Sequence, residues 1–222
     1  MSAVPQAEMA ARLARWQGQR QLGLYRDDGP LARFLGSALG GFAKLPPLAL
    51  VLVGVAGVIA LAAIEGDGAS DAAVAIGVAW LVLWAGPAAG RPYDDSVAWA
   101  VPAVLRVGEY GGLIWIAACA GGSSSAAAFA LVAALAFRHY DLVYRPRFLG
   151  VSPAGWLAVA GGGWEGRLIV VTLLLLAGAL PAGLFIMAGA LGVMFLAESV
   201  SSWGHAPDTT VSSYEDEEDE GD

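Results

Sequence analysis

RLIVVTLLLLAGALPAGLFIMAGALGVMFLAESV, residues 167–200, is an apolar stretch of 34 residues. As one helix it would extend about 50 Å at about 1.5 Å per residue, against a bilayer core of about 30 Å. Pro181, between Gly178 and Gly183, offers a place to turn. The stretch therefore reads as two short membrane spans rather than one kinked helix. Four further apolar segments precede it, from about Pro46 to Ile64, Ala72 to Ala89, Val97 to Ala120 and Ser124 to Tyr144. The expected fold class is an all-α integral membrane protein with about six transmembrane helices.

The arginines supply an orientation. Arg12, Arg15, Arg20, Arg26, Arg33 and Lys44 precede the first segment, Arg91 lies between the second and third, and Arg145, Arg147 and Arg167 lie between the fourth and fifth. The intervening loops EGDGASD (65–71) and GGSSS (121–125) hold no Arg or Lys. Basic residues on alternate loops predict that both termini are cytoplasmic, which agrees with an even span count. Three regions follow. Residues 1–45 form a cytoplasmic or interfacial N-terminal region in which Leu13, Trp16 and Leu24 face the headgroups, residues 46–200 the membrane domain, and residues 201–222 a disordered acidic tail.

Composition supports this class. The chain is 57% hydrophobic and 14% charged, where a soluble domain carries about a quarter charged residues. The net charge of −8 is mostly the seven acidic residues of EDEEDEGD (215–222). With only 12 Lys and Arg along the chain, a nucleic-acid footprint is excluded. Eleven of them are Arg, which with 30 Gly suggests a GC-rich bacterial genome and a cytoplasmic-membrane location. The single Cys119 reads as a small buried residue, no CxxC or Cys/His cluster occurs for zinc, and Asp67 and Asp71 in GDGASD (66–71) read as a solvated turn rather than metal ligands. Asp94 and Asp95 in PYDDS read as a cap for the third segment.

Charges inside the apolar segments are the functional signal. If the third segment starts near Val97, Arg106 and Glu109 lie about 14 and 18 Å into the membrane, spaced to pair at i, i+3. Gly108 and Gly112 flank Tyr110 and permit a close helix neighbour. In FRHYDLVYRPR (137–147), Arg138, Asp141 and Arg145 share one helical face, so Asp141 can pair with either arginine, while His139 and Tyr140 point elsewhere. Positive-inside anchoring and snorkelling account for Arg145 and Arg147. Glu165 and Arg167 reach the same leaflet at the start of the fifth segment. Deep charges in an apolar protein are costly unless paired and are a functional hypothesis by default. The candidate ligand-binding set is Arg106, Glu109, Tyr110, Arg138, Asp141 and Arg145, against the plainer reading of an ion-pair network that locks helices.

Phosphate-loop, HExxH, GxSxG and Rossmann patterns are absent. At RDDGPLARFLG (26–36), RVGEYGG (106–112), FRHYDLVYRPRF (137–148) and GWEGRL (163–168) the chain resembles a bacterial membrane domain of unknown function. That domain is of the kind associated with CDP-alcohol phosphotransferase or nucleotidyltransferase modules. The resemblance implies a link to phospholipid or polar-headgroup synthesis. It does not imply the activity, because the DxxDGxxAR…GxxxDxxxD signature is missing. The leading reading is an accessory or substrate-binding domain in phospholipid or glycolipid headgroup metabolism. Its ligands would be membrane lipids, among them an anionic phospholipid or nucleotide-linked headgroup. One alternative is a scaffold recruiting a protein partner through the N-terminal region or the acidic tail. Another is a small secondary transporter using Glu109 and Asp141. The pattern assigns no reaction and no cofactor.

Overall fold

The computed structural model describes residues 21–41, 44–92, 95–148 and 156–204. After a helical stretch at 21–26 come α1 (Pro30–Leu39), α2 (Pro47–Glu65), α3 (Asp71–Ala85), α4 (Ala100–Ala120), α5 (Ser124–Phe148), α6 (Trp156–Ala160), α7 (Gly163–Leu176) and α8 (Leu180–Gly204). Short 3-10 turns at Gly66–Gly68 and Gly86–Gly90 follow α2 and α3. No strand occurs among the described residues. The surface helix expected around Leu13 and Trp16 lies outside the described residues, as does the tail from 205 on, whereas residues 201–204, expected in the disordered tail, are the last turn of α8.

Helix ends follow local chemistry. Proline at the first turn of α2 removes one of the N–H groups that would lack an acceptor there, and the Ser70 hydroxyl caps α3 by accepting from Ala73 N–H. The cap expected at Asp95 does not form: α4 begins only at Ala100, with Trp99 at its N-cap and no side-chain bond. Cys119, expected in the core, is only partly buried, with its thiol 3.8 Å from Gly66 O.

The stretch 167–200 does split. Gly178, at φ 67, takes a left-handed turn that an L side chain resists, and Pro181 sits in the first turn of α8, where its missing N–H costs nothing. The two halves are unequal. Helix α8 has 25 residues but α7 has 14, about 21 Å. Among the described residues, five helical segments are long and apolar enough to cross a membrane, against the six expected. Helix α7 falls short because left-handed glycines bound it on both sides, Gly162 and Gly163 at its start and Gly178 just past its end.

Helix α5 packs most extensively along α8, α2 along α3 and α4, and α1 against the Gly86–Gly90 turn. The interior holds Leu81, Leu105, Ile116, Leu131, Leu168 and Phe195. The exterior is equally apolar, with Ile64, Phe129 and Ile186 each more than 70% exposed. Helices that are hydrophobic all round and leave such residues outside are compatible with a multi-pass membrane protein.

Candidate functional site

Polar chemistry in this bundle begins with Arg26-Asp27-Asp28-Gly29. The four are buried between helices, and Asp27 takes a left-handed backbone at φ 52, unusual outside glycine. Their backbone and side chains are met by the start of α7. Trp164 N–H donates to Asp27 O at 3.2 Å, and its indole N–H donates to Asp28 Oδ1 at 2.9 Å. Arg26 grips Asp28 through Nε and Nη2 at 2.7 and 2.9 Å and donates to Ala85 O at 3.2 Å. The first N–H groups of α1 lack helical acceptors; the Glu165 carboxylate takes those of Gly29 and Ala32 at 3.1 and 3.0 Å. An anion from one helix thus caps the positive end of another. Replacing Trp164 by Phe removes a hydrogen bond to a charged acceptor and is expected to lower stability by about 1.5–3 kcal/mol, read from denaturant titration in mixed micelles.

Beneath this lies an ion-pair layer. Arg167, 2% exposed, donates through Nε to Glu109 at 2.7 Å and through Nη1 to Asp27 Oδ2 at 3.0 Å and Gly161 O at 3.1 Å. Arg106 pairs with Glu109, as the i, i+3 spacing predicts, and donates to the carbonyls of Tyr25 (3.2 Å) and Arg26. Burial by itself would raise the carboxyl pKa of Asp27, but the Arg167 and Arg106 guanidinium groups and the His139 imidazole together outweigh it and hold the group well below the usual carboxylate range.

A second cluster joins α5 to α8. Arg145 is fully buried, paired with Asp141 and with both Glu198 oxygens at 2.6 Å, and donates to the Ser202 hydroxyl at 3.0 Å. Ser199 donates to Asp141 Oδ1 at 3.1 Å. Arg138 is 3% exposed, with its guanidinium 5.3 Å from the Phe195 ring centre. Its Nε and Nη1 have no hydrogen-bond partner among the described residues.

A groove of about 550 Å³ opens between residues 21–25, α4 and α5. Leu22, Trp99, Pro102, Ala103 and Val143 make apolar walls, and Tyr25, Arg106 and His139 supply polar groups. The His139 ring is fixed by the Tyr110 hydroxyl, 2.5 Å from Nδ1, while its Nε2 stands 3.6 Å from Asp27 Oδ2. Tyr25 Oη, Arg106 Nε and His139 Nε2 are each buried without a hydrogen-bond partner among the described residues.

Both clusters and the groove fall inside one family match, which covers residues 17–220. The chain belongs to the DUF5941 family, a family of unknown function. No match is found among curated proteins or among solved structures. Kinship with a domain of unknown function, expected from the four blocks, is thereby shown.

In this DUF5941 chain the six sequence-predicted site residues divide. Arg106, Glu109 and Tyr110 join the layer beside the groove, whereas Asp141 and Arg145 build the second cluster and Arg138 lies between. Asp141 chooses Arg145 over Arg138. Arg145 is not a snorkelling anchor but is locked in the interior, and the Arg147 side chain lies outside the description. Asp27, Asp28, Trp164 and Glu198 were not singled out as site residues. Glu198 sits alone as an acid deep in an apolar run, so the rule that selects Glu109 selects it too. Nothing local marks Asp27, whose partner Arg167 lies 140 residues away.

Proposed function

We propose that this chain is a multi-pass membrane domain that binds the acceptor-rich headgroup of an anionic amphiphile in the groove at Arg106 and His139. It would serve there as an accessory or substrate-binding domain in phospholipid or glycolipid headgroup metabolism. The supporting observation is the coincidence of two buried polar atoms without a hydrogen-bond partner among the described residues, Tyr25 Oη and Arg106 Nε, on residues lining one groove with apolar walls. Buried polar groups are satisfied in all but a few cases, so such a cluster calls for a ligand that supplies acceptors. The walls suit an acyl or isoprenoid chain, and on the alternation of basic loops this reading takes the groove to face the cytoplasmic half of the membrane. The link to CDP-alcohol phosphotransferase or nucleotidyltransferase modules, and to a bacterial inner membrane, belongs to this proposal.

A second reading has its own observation. Every guanidinium nitrogen of Arg145 is engaged, which suits a helix lock in a non-catalytic scaffold. Native mass spectrometry from nanodiscs containing phosphatidic acid or phosphatidylglycerol separates the two. Wild type is expected to retain one anionic lipid, and Arg106→Gln to lose it. Tyr25→Phe removes a hydroxyl that makes no hydrogen bond among the described residues, so it is expected to weaken retention at unchanged stability. Wild type free of lipid would leave the scaffold reading alone.

A further inference from the structure

Six tryptophan and tyrosine side chains are exposed among the described residues, and five of them stand at one end of the bundle. Trp99 opens α4 and is 69% exposed, Tyr140 and Tyr144 ride on the C-terminal part of α5 with their rings stacked at 4.2 Å, Trp156 opens α6, and Trp203 lies at the end of α8. The polar contacts place them together. Trp99 shares the groove with His139 and Val143 of α5, and Trp203 follows Ser202, whose hydroxyl accepts from Arg145 of the same helix. Trp156 precedes by one turn the Gly161 carbonyl that accepts from Arg167. The exception is Trp80, inside α3, which gives its indole N–H to Val53 O at 3.0 Å.

Charge sorts the two ends in the same way. Arg33 on α1 and Lys44 before α2 are exposed at the aromatic end, and Phe34 beside Arg33 is 64% exposed. The turn at the opposite end exposes Glu65, Asp67 and Asp71 and holds no Arg or Lys. Away from the aromatic end, and apart from Trp80, the large exposed side chains are purely hydrocarbon, Ile64, Ile114, Phe129 and Ile186 among them. An indole or phenol joins an apolar body to a polar tip, so on a lipid-facing surface it is most stable where hydrocarbon meets headgroup. Basic side chains at that level meet lipid phosphates.

We propose that these residues form an interfacial collar that seats this end of the bundle in the headgroup layer of an anionic phospholipid leaflet. The aromatic tips lie at the ester-carbonyl level, and Arg33 and Lys44 reach the phosphates. The collar rests on the multi-pass reading and not on the groove's ligand, but it decides how that ligand enters. Trp99 belongs to both collar and groove, so the groove opens at collar depth, sideways into the leaflet. Arg106 lies seven residues further along α4, about 10 Å deeper and short of the middle of a core of about 30 Å. An amphiphile then reaches Arg106 without leaving the membrane.

The test is fluorescence quenching of the full chain in nanodiscs of phosphatidylcholine and phosphatidylglycerol, with spin labels carried on the lipid. Each tryptophan is read as the difference between wild type and its phenylalanine variant, which keeps the apolar body and the fold. The emission lost in Trp99→Phe, Trp156→Phe and Trp203→Phe should be the part quenched most by a label near the acyl carbonyl. The emission lost in Trp80→Phe should be quenched most by a label near the terminal methyl. Collar emission quenched by aqueous iodide and by neither label overturns the proposal and leaves an aromatic surface for a protein partner. Collar emission quenched most near the terminal methyl overturns it as well, by putting this end inside the core. If Trp80 also escapes both labels, the bundle is not inserted, and the multi-pass reading falls with the collar. Arg33→Gln with Lys44→Gln should lower the count of phosphatidylglycerol molecules retained in native mass spectrometry, and an unchanged count overturns their part in the collar.

Discussion

Arg167→Met is expected to lower stability by about 3–5 kcal/mol, the usual consequence of removing one partner from a buried ion pair. The side chain is the common cation of Asp27 and Glu109 and is itself only 2% exposed. Methionine fills much the same volume, so the loss is electrostatic rather than a cavity. Two carboxylates would remain in the interior, with Arg106 as the nearest remaining cation. Adding Glu109→Gln to Arg167→Met removes one stranded charge and should restore part of the loss. Unfolding in mixed micelles, followed by tryptophan fluorescence, measures both. If Arg167→Met unfolds within about 1 kcal/mol of wild type, the layer does not hold the helices together.

Gly163→Ala is the second large effect, and it acts without touching any charge. A Cβ at this position would lie 2.1 Å from Gly29 N and 2.3 Å from Gly29 Cα, both backbone atoms that cannot rotate away. Gly163 is also left-handed at φ 65, a conformation that disfavours a side chain by about 1–2 kcal/mol. Overpacking adds about 1–3 kcal/mol. The mutant is expected to separate residues 26–29 from the start of α7, so that Trp164 and Glu165 lose their partners together. Proteolysis near Arg26 should then accelerate while the helical circular dichroism of the bundle changes little. Equal protease resistance in mutant and wild type would show that the two backbones are not packed as closely as described. Gly166→Ala, where a Cβ meets nothing within 4 Å, is the control and should behave as wild type.

These two cases mark where the sequence was readable. The long apolar segments were recovered within a few residues, because a run such as PLALVLVGVAGVIALAAIE (47–65) is helical and apolar on every face whatever packs beside it. The Arg106–Glu109 and Asp141–Arg145 pairs were readable for a related reason: three or four residues along a helix place two side chains together before any tertiary contact forms. Glu198 was readable by the rule for deep acids.

The remainder depended on contacts that no spacing encodes. The shortness of α7 comes from left-handed glycines on both sides, Gly162 and Gly163 at its start and Gly178 just past its end, and the buried RDDG segment packs at that start. A count of apolar residues sees only a long run. The triad of Asp27, Tyr110 and His139 is drawn from positions 27, 110 and 139, where no helix periodicity relates the three, and His139 had been expected to point away from the charged face. By itself the sequence determined an all-helical bundle compatible with several membrane crossings, and the presence of charges within it, because composition and i, i+3 or i, i+4 geometry act over a few residues. Only the tertiary structure decided which charge meets which and where a groove opens, because a buried ion needs its partner within a few ångströms in space, at whatever distance along the chain that partner lies.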